Sequence, residues 1–177
     1  MKAKKEIEEK YFKTEAMITC LVENLQKHRG QVGKTVVQKL MFLLGNALKK
    51  DFGFRFHYYG PYSSFIDGEL DNASSILKSV NIRWVDNQGY FITTDEKASA
   101  FTEILSDDEK NEIKSVAEKY GKLSANDLFI ITAAYYLKEV DLSWAKLVHE
   151  VGKLKPDDEK DIQEFLEAYG VSDEGEK

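Results

Sequence analysis

The stretch KTVVQKLMFLLGNAL, residues 34–48, carries the strongest fold signal in the chain, because it is apolar on nearly every side. A helix with one apolar stripe lies on a core, whereas a helix that is apolar all round lies inside one. Gly30 and Gly33 precede the stretch and favour a turn. The sequence therefore predicts a central buried helix, with these side chains in the core: Val36, Val37, Leu40, Met41, Phe42, Leu43, Leu44, Ala47 and Leu48.

Two elements flank this helix. Upstream, a spacing of four and three residues predicts a helix from about residue 4 to His28, with one stripe formed by Ile7, Tyr11, Thr14, Ile18, Leu21 and Leu25. Downstream, FGFRFHYYG, residues 52–60, alternates Phe54, Phe56 and Tyr58 with Arg55, His57 and Tyr59. That period predicts a half-buried strand, which Pro61 should end because proline cannot donate to a strand ladder.

A helix and a hairpin follow. Ser63 or Ser64 is a suitable N-cap for a helix through about Lys78, with an inward face formed by Phe65, Ile66, Leu70, Ala73 and Leu77. Asp67, Glu69 and Asp71 place acid in its first two turns. The runs VNIRWVD and YFITT surround Asn87-Gln88-Gly89, where Gly89 suits the left-handed position of a three-residue hairpin loop. The order helix, helix, strand, helix, hairpin predicts a winged-helix-like core.

The remainder is predicted to be helical. A short helix follows Thr94 and Asp95 and ends near Leu105, Ser106 and Glu109 form a capping box, and Gly121 marks the end of that helix. Ser124 with Asp127 opens an almost wholly apolar helix, and two amphipathic helices separated by Pro156 and Asp157 complete the chain. Their inward residues are Trp144, Leu147, Val148, Val151, Ile162, Phe165, Leu166 and Tyr169.

The predicted fold class is therefore mostly α with a small antiparallel sheet. We expect an N-terminal helix and winged-helix-like core over residues 1–95. A helical C-terminal part over residues 96–177 should pack on that core within a single compact domain. The length of 177 residues and the hydrophobic content of 42% suit one core.

Composition also bounds location and partners. No apolar run reaches the roughly 18 residues of a membrane span, the charged first residues do not resemble a signal peptide, and Cys20 has no second cysteine to pair with. We therefore expect a soluble cytoplasmic protein. Residues 1–60 carry 12 Lys and Arg against 6 Asp and Glu, whereas residues 61–177 carry 13 against 25. Either the protein binds a partner whose charge complements this asymmetry, or the basic and acidic parts interleave in space and their electrostatic fields largely cancel.

Motifs for catalysis and metal binding are weak. The three histidines stand apart at positions 28, 57 and 149, and Cys20 lacks a CxxC partner, so we expect no metal and no cofactor. Gly30-Gln-Val-Gly33-Lys-Thr imitates only part of a phosphate loop, because its glycines are three apart and no strand precedes it.

The densest chemistry is HYYGPYSS, residues 57–64. Such a corner offers stacking faces and hydrogen-bond donors to a partner. In the absence of an acid or a metal ligand, it is more typical of a turn whose tyrosines bond nearby backbone while Ser63 or Ser64 caps the next helix. With Phe65, it defines the candidate partner surface: His57, Tyr58, Tyr59, Tyr62, Ser63 and Phe65.

The runs GKTVVQKLMFLL and FGFRFHYYGPYSS resemble the YwgA-like proteins of bacteria and archaea. In these, a Gly-Lys/Arg-Thr helix start with Leu-Gln-Lys-Leu precedes an FGY-type strand and a Tyr-Gly-Pro-Tyr-Ser turn. The chain is more distantly similar to the Panacea antitoxin domain, whose members neutralise toxins or deliver a toxin to a protease. The similarity covers roughly residues 15–95, and Val37 stands where the family usually has leucine. It implies a winged-helix-like fold without a catalytic set.

Three functional hypotheses follow. The first is a protein-interaction module, antitoxin-like or adaptor-like, with a protein partner or a second copy of the chain. The second is a DNA-binding regulator, although acid on the groove-reading helix would limit it to weak, non-specific binding. The third is an enzyme built round His57, Tyr59, Tyr62 and Asp67. The candidate phosphate contacts of the second hypothesis are Lys34, Lys39, Lys49, Lys50, Arg55 and Arg83.

Overall fold

The computed structural model describes residues 12–139, 143–154 and 159–172, together with Lys2, Ala3 and Glu6. The described chain is mostly helical, with two separate antiparallel sheets of two strands each, which confirms the predicted fold class. In chain order the elements are α1 (Lys13–Leu25), α2 (Lys34–Leu48), β1 (Arg55–His57), β2 (Gly60–Tyr62), α3 (Ser64–Ser75), β3 (Val80–Val85), β4 (Gly89–Thr94), α4 (Ala98–Thr102), α5 (Asp107–Tyr120), α6 (Ala125–Lys138), α7 (Trp144–Leu154) and α8 (Glu159–Ala168).

These elements form two compact units, each discontinuous in sequence. The first unit comprises Met1–Phe54 and Ser63–Lys122, and the second comprises Arg55–Tyr62 and Leu123–Lys177. The two predicted parts, 1–95 and 96–177, are by contrast continuous. No helix in the described ranges is long and apolar enough to cross a membrane.

Helix α2 is the buried element that the sequence predicts, but its last turn is not in the core, since Ala47 is exposed and Leu48 is half-buried. Leu40 and Leu44 are fully buried, and the same is true of Val37 and Met41. Helix α1 is buried along most of its length as well, with Met17, Ile18 and Leu21 inaccessible to solvent, and it packs against α3, α4 and α5. Its predicted first turns, with Ile7 and Tyr11, lie outside the described residues.

The predicted wing is present in the first unit. Strands β3 and β4 pair with Ile82 opposite Ile92 and Trp84 opposite Tyr90, and Gly89 has the expected positive φ of 90°. The backbone N–H of Ile92 donates to the carbonyl of Val32 at 2.8 Å, so the segment before α2 lies alongside β4. Helices α1, α2 and α3 followed by the wing have the order expected of a winged-helix-like core.

Helix α3 corrects part of the predicted inward face. Ile66, Leu70 and Ala73 are buried, but Phe65 is exposed. Adjacent helical residues point about 100° apart, so Phe65 cannot share the face that begins at Ile66. The helix ends at Ser75, before the predicted Lys78.

Residues 55–62 form a hairpin, so the prediction of one strand ended by Pro61 is wrong. The chain turns at Tyr58 and Tyr59, and Gly60 has a φ of 82° as the return strand β2 begins. Pro61 lies opposite Phe56, next to the closing pair of the hairpin. Antiparallel pairs alternate between hydrogen-bonded and non-hydrogen-bonded, so Pro61 occupies a position that needs no N–H donor. Tyr58 points to solvent rather than inward.

The remaining helix boundaries agree with the sequence signals. Ser106 and Glu109 form the reciprocal capping box of α5, and the Ser124 hydroxyl accepts the Asp127 N–H at the start of α6. The inward residues Leu147, Val148, Val151, Ile162 and Leu166 are buried on α7 and α8. The predicted stop at Pro156 and start at Asp157 lie outside the described ranges.

Candidate functional site

The most exposed large apolar side chains in the described part of the chain lie at the turn of the β1–β2 hairpin. Tyr58 is 90% exposed and Tyr59 is 73% exposed, and their ring centroids are 5.3 Å apart in an edge-to-face arrangement. We call residues 55–62 the aromatic hairpin. Its turn presents two aromatic rings whose apolar faces are in water.

One face of the aromatic hairpin holds it in the second unit. Phe56 and Pro61 are cross-strand partners, and the Phe56 ring lies 5.3 Å from the Tyr136 ring of α6. Arg55, His57 and Tyr62 occupy the other face, since strand residues alternate between faces. The His57 and Tyr62 rings contact each other with centroids 5.3 Å apart. The hairpin therefore has an anchored side and a side that carries aromatic and basic groups.

The six residues of the predicted partner surface are divided between the two units. His57, Tyr58 and Tyr59 are exposed on the aromatic hairpin, where Tyr62 is half-buried. Phe65 is exposed on α3 of the first unit. The structure therefore does not describe the six as one surface.

Ser63 is fully buried and cannot belong to a partner surface, which corrects that part of the prediction. Its hydroxyl accepts the Ile66 N–H at 3.1 Å and donates to the Phe52 carbonyl. The Gln38 amide pairs with both backbone groups of Ser63, at 2.9 and 3.0 Å. Ser63 is thus the N-cap of α3, and Gln38 joins that cap to α2.

The candidate phosphate contacts differ in exposure and in the unit to which they belong. Lys39 is buried, Lys49 and Lys50 are exposed after the last turns of α2, Arg83 is exposed on the wing, and Arg55 belongs to the second unit. The Lys34 ammonium is engaged by Asp71 at 3.2 Å and Asp67 at 3.5 Å. Lys39 is therefore not available to a DNA backbone, and the charge of Lys34 is already paired.

Two aromatic residues on the wing were not predicted as site residues. Trp84 and Tyr90 are directly opposite each other, with ring centroids 4.9 Å apart, and are 58% and 39% exposed. The observed loop is 86–88, one residue earlier than predicted, and Trp84 and Tyr90 are each two residues from it, which makes them a cross-strand pair.

Two charged side chains are buried in the helices of the first unit. Burial, together with a hydrogen bond to the neighbouring Glu69 of α3, raises the pKa of Glu15 on α1 to about 7. Burial lowers the pKa of Lys39 on α2 to about 8. The Glu15 Oε2 atom is buried and has no hydrogen-bond partner among the described residues, so an ionised carboxylate would be poorly stabilised here.

The groups of the enzyme hypothesis are also divided. His57, Tyr59 and Tyr62 lie on the aromatic hairpin, whereas Asp67 pairs with Lys34 in the first unit. Burial raises the pKa of the Cys20 thiol to about 11, which keeps it protonated and a poor nucleophile. Within the described ranges, no group of three or more His, Cys, Asp or Glu side chains is arranged to hold a metal ion.

No family model matches the chain, and no curated protein matches it in sequence. Its function is therefore inferred from the surfaces described above.

Proposed function

We propose that this chain is a non-catalytic protein-interaction module of the cytoplasm, and that the turn of the aromatic hairpin is its anchor for a protein partner. The exposure of Tyr58 and Tyr59 carries the proposal. The resemblance to YwgA-like and Panacea proteins adds the expectation that the module is antitoxin-like or adaptor-like.

Tyrosine is well suited to this role. It provides a large apolar contact area and a hydroxyl while losing few rotatable bonds, and it is enriched among residues that dominate binding energy. An anchor must be accessible before the partner arrives, as Tyr58 and Tyr59 are. The contact between Phe56 of β1 and Tyr136 of α6 supports the hairpin, so the backbone of its turn is held before binding.

The alternative is a winged-helix DNA-binding regulator. The element order of the first unit and the exposed Lys49, Lys50 and Arg83 favour it. Against it, Asp67 and Asp71 on α3 engage Lys34 and would face the phosphates of any duplex read by that helix. Protein binding therefore ranks above DNA binding.

The experiment is affinity capture from a prokaryotic lysate, with the full chain and its Tyr58→Ser/Tyr59→Ser variant as baits. We expect a stoichiometric protein on the wild-type bait that the variant does not retain. Because both rings are exposed, the variant should melt within a few degrees of wild type.

A matched control is Ile76→Ser, which removes an exposed apolar side chain from the first unit. This variant should retain the partner. A partner held equally by all three baits, or a stoichiometric duplex DNA in place of a protein, would contradict the proposal.

A further inference from the structure

A second surface lies between the wing and α3 in the first unit, and we infer that it binds an arginine-rich segment of a partner protein. The acidic–aromatic face consists of Trp84, Asp86 and Tyr90 on the wing, Asp67 and Asp71 on α3, and Lys34 at the start of α2. The inference rests on the proposed function, since it gives a protein partner a second point of contact.

A chain of contacts makes these residues one continuous surface. The Trp84 indole N–H donates to Asp86 at 3.0 Å, and its ring contacts Tyr90 edge to face. The Lys34 ammonium lies 5.0 Å from the centre of the Tyr90 ring. That same ammonium pairs with Asp71 and Asp67. The face therefore extends from the hairpin loop across to α3.

Lys34 shows which chemistry this face accepts. Its ammonium is held by one aromatic ring and two carboxylates, so a cation is stabilised here by the protein's own groups. The nearby Asp groups also raise the pKa of Lys34, against the effect of its partial burial. The side chain of Asp71 remains 57% exposed, so its oxygens are accessible to a second cation.

The charge of the face selects a basic partner. Three carboxylates, Asp67, Asp71 and Asp86, are matched within the face by the single ammonium of Lys34. Arg83 is on the opposite side of the wing, where its guanidinium lies 5.3 Å from the centre of the Phe91 ring. The face is therefore left with two negative charges beside an exposed indole.

Arginine fits this combination better than lysine. A guanidinium stacks on an indole ring and forms two parallel hydrogen bonds to a carboxylate, whereas an ammonium acts as a point charge. Nucleic acid is disfavoured, because its phosphates would meet the same carboxylates that attract arginine. The occupant that suits both aromatic rings and carboxylates is an extended arginine-rich peptide segment.

Tryptophan fluorescence provides the test. The chain has two tryptophans, so a Trp144→Phe background leaves Trp84 as the only indole. The probe is a glycine-spaced peptide of six arginines, and its control is the same peptide with citrulline, which keeps the shape but has no charge. We expect saturable quenching of Trp84 by the arginine peptide only, weakened about fivefold or more between 50 and 300 mM salt.

Three variants locate the effect. Asp67→Asn/Asp71→Asn should weaken binding about tenfold, as loss of two charge-assisted contacts implies. The matched change Glu96→Gln/Glu103→Gln, on exposed residues of the same unit, should leave binding within about twofold. Lys34→Gln should strengthen binding about threefold, because the internal cation no longer competes for the ring and carboxylates.

The inference is overturned if citrulline and arginine peptides quench equally, if the Asp67/Asp71 variant binds like wild type, or if duplex DNA quenches Trp84 at lower concentration than the peptide. The Tyr58→Ser/Tyr59→Ser variant should bind the arginine peptide normally. Whether that variant retains the protein partner tests the aromatic hairpin, and whether the arginine peptide binds tests the acidic–aromatic face. The two proposals can therefore fail independently of each other.

Discussion

Replacing Glu15 by glutamine should remove a pH dependence from the stability of the first unit. Glu15 is buried on α1, and Glu69 of α3 is the charged group that raises its pKa in addition to burial. Glutamine preserves the shape of the side chain but cannot ionise. The variant therefore separates the cost of the charge from the packing of the residue.

The size of the effect follows from the pKa, which rises from 4.5 to about 7 on folding. Between these values the folded protein keeps a proton that the unfolded chain has lost, so its stability falls as the pH rises across this window. One pKa unit corresponds to about 1.4 kcal/mol, and ionised Glu15 therefore costs the folded state about 3 kcal/mol above pH 7. Below about pH 4.5 the cost disappears, since both states are protonated.

Urea unfolding followed by circular dichroism at pH 5, 6, 7 and 8 measures this directly. We expect Glu15→Gln to match wild type near pH 5 within about 1 kcal/mol and to exceed it by about 3 kcal/mol at pH 8. Glu23→Gln, an exposed change on the same helix, should follow the wild-type profile. Parallel pH profiles for wild type and Glu15→Gln would refute a protonated Glu15.

Other predictions concern packing, capping and nucleic acid. Leu40→Ala, at the fully buried centre of α2, should lower the free energy of unfolding by about 2–5 kcal/mol in urea titrations, and a loss below about 1 kcal/mol would contradict a central α2. Ser63→Ala should lower the free energy of unfolding by about 1–2 kcal/mol in the same assay, because the N-cap of α3 and the hydrogen bond to Phe52 are both lost. Ser64→Ala, at the exposed neighbouring position, should change it very little. Duplex DNA should bind weakly and without sequence preference in a salt titration, and nanomolar, sequence-selective binding lost on changing Asn72 or Ser75 would reverse the ranking of functions.

The sequence predicted the elements that depend on local pattern. The apolar run of α2, the cap at Ser106 and the positive φ of Gly89 all have signals within a few residues, and each occurs where expected. The hairpin at residues 55–62 was not predicted from the sequence. The alternation of side chains continues through Tyr58 and Tyr59, and proline usually ends a strand. Its register, which places Pro61 at a non-hydrogen-bonded position, depends on pairing that alternation does not encode.

The buried charges show a second kind of limit. Lys39 lies within a helix that is apolar on nearly every side, so its burial follows from the predicted position of α2. Its charge alone had suggested a phosphate contact. Ser63 was predicted both as a cap and as a surface residue, and only its bonds to Ile66 and Phe52 distinguish the two. The candidate surface was continuous in sequence, but the chain passes from one compact unit to the other between Tyr62 and Ser63.

We propose that the turn of the aromatic hairpin binds a protein and contributes little to folding. Calorimetric titration of the captured partner against wild type and Tyr59→Ala tests it most directly. We expect Tyr59→Ala to lose more than about 1 kcal/mol of binding free energy and to keep the wild-type melting temperature, since the ring is 73% exposed. Equal affinities for the two proteins, with a loss of about 3 kcal/mol in folding stability instead, would make Tyr59 a packing residue and contradict the claim.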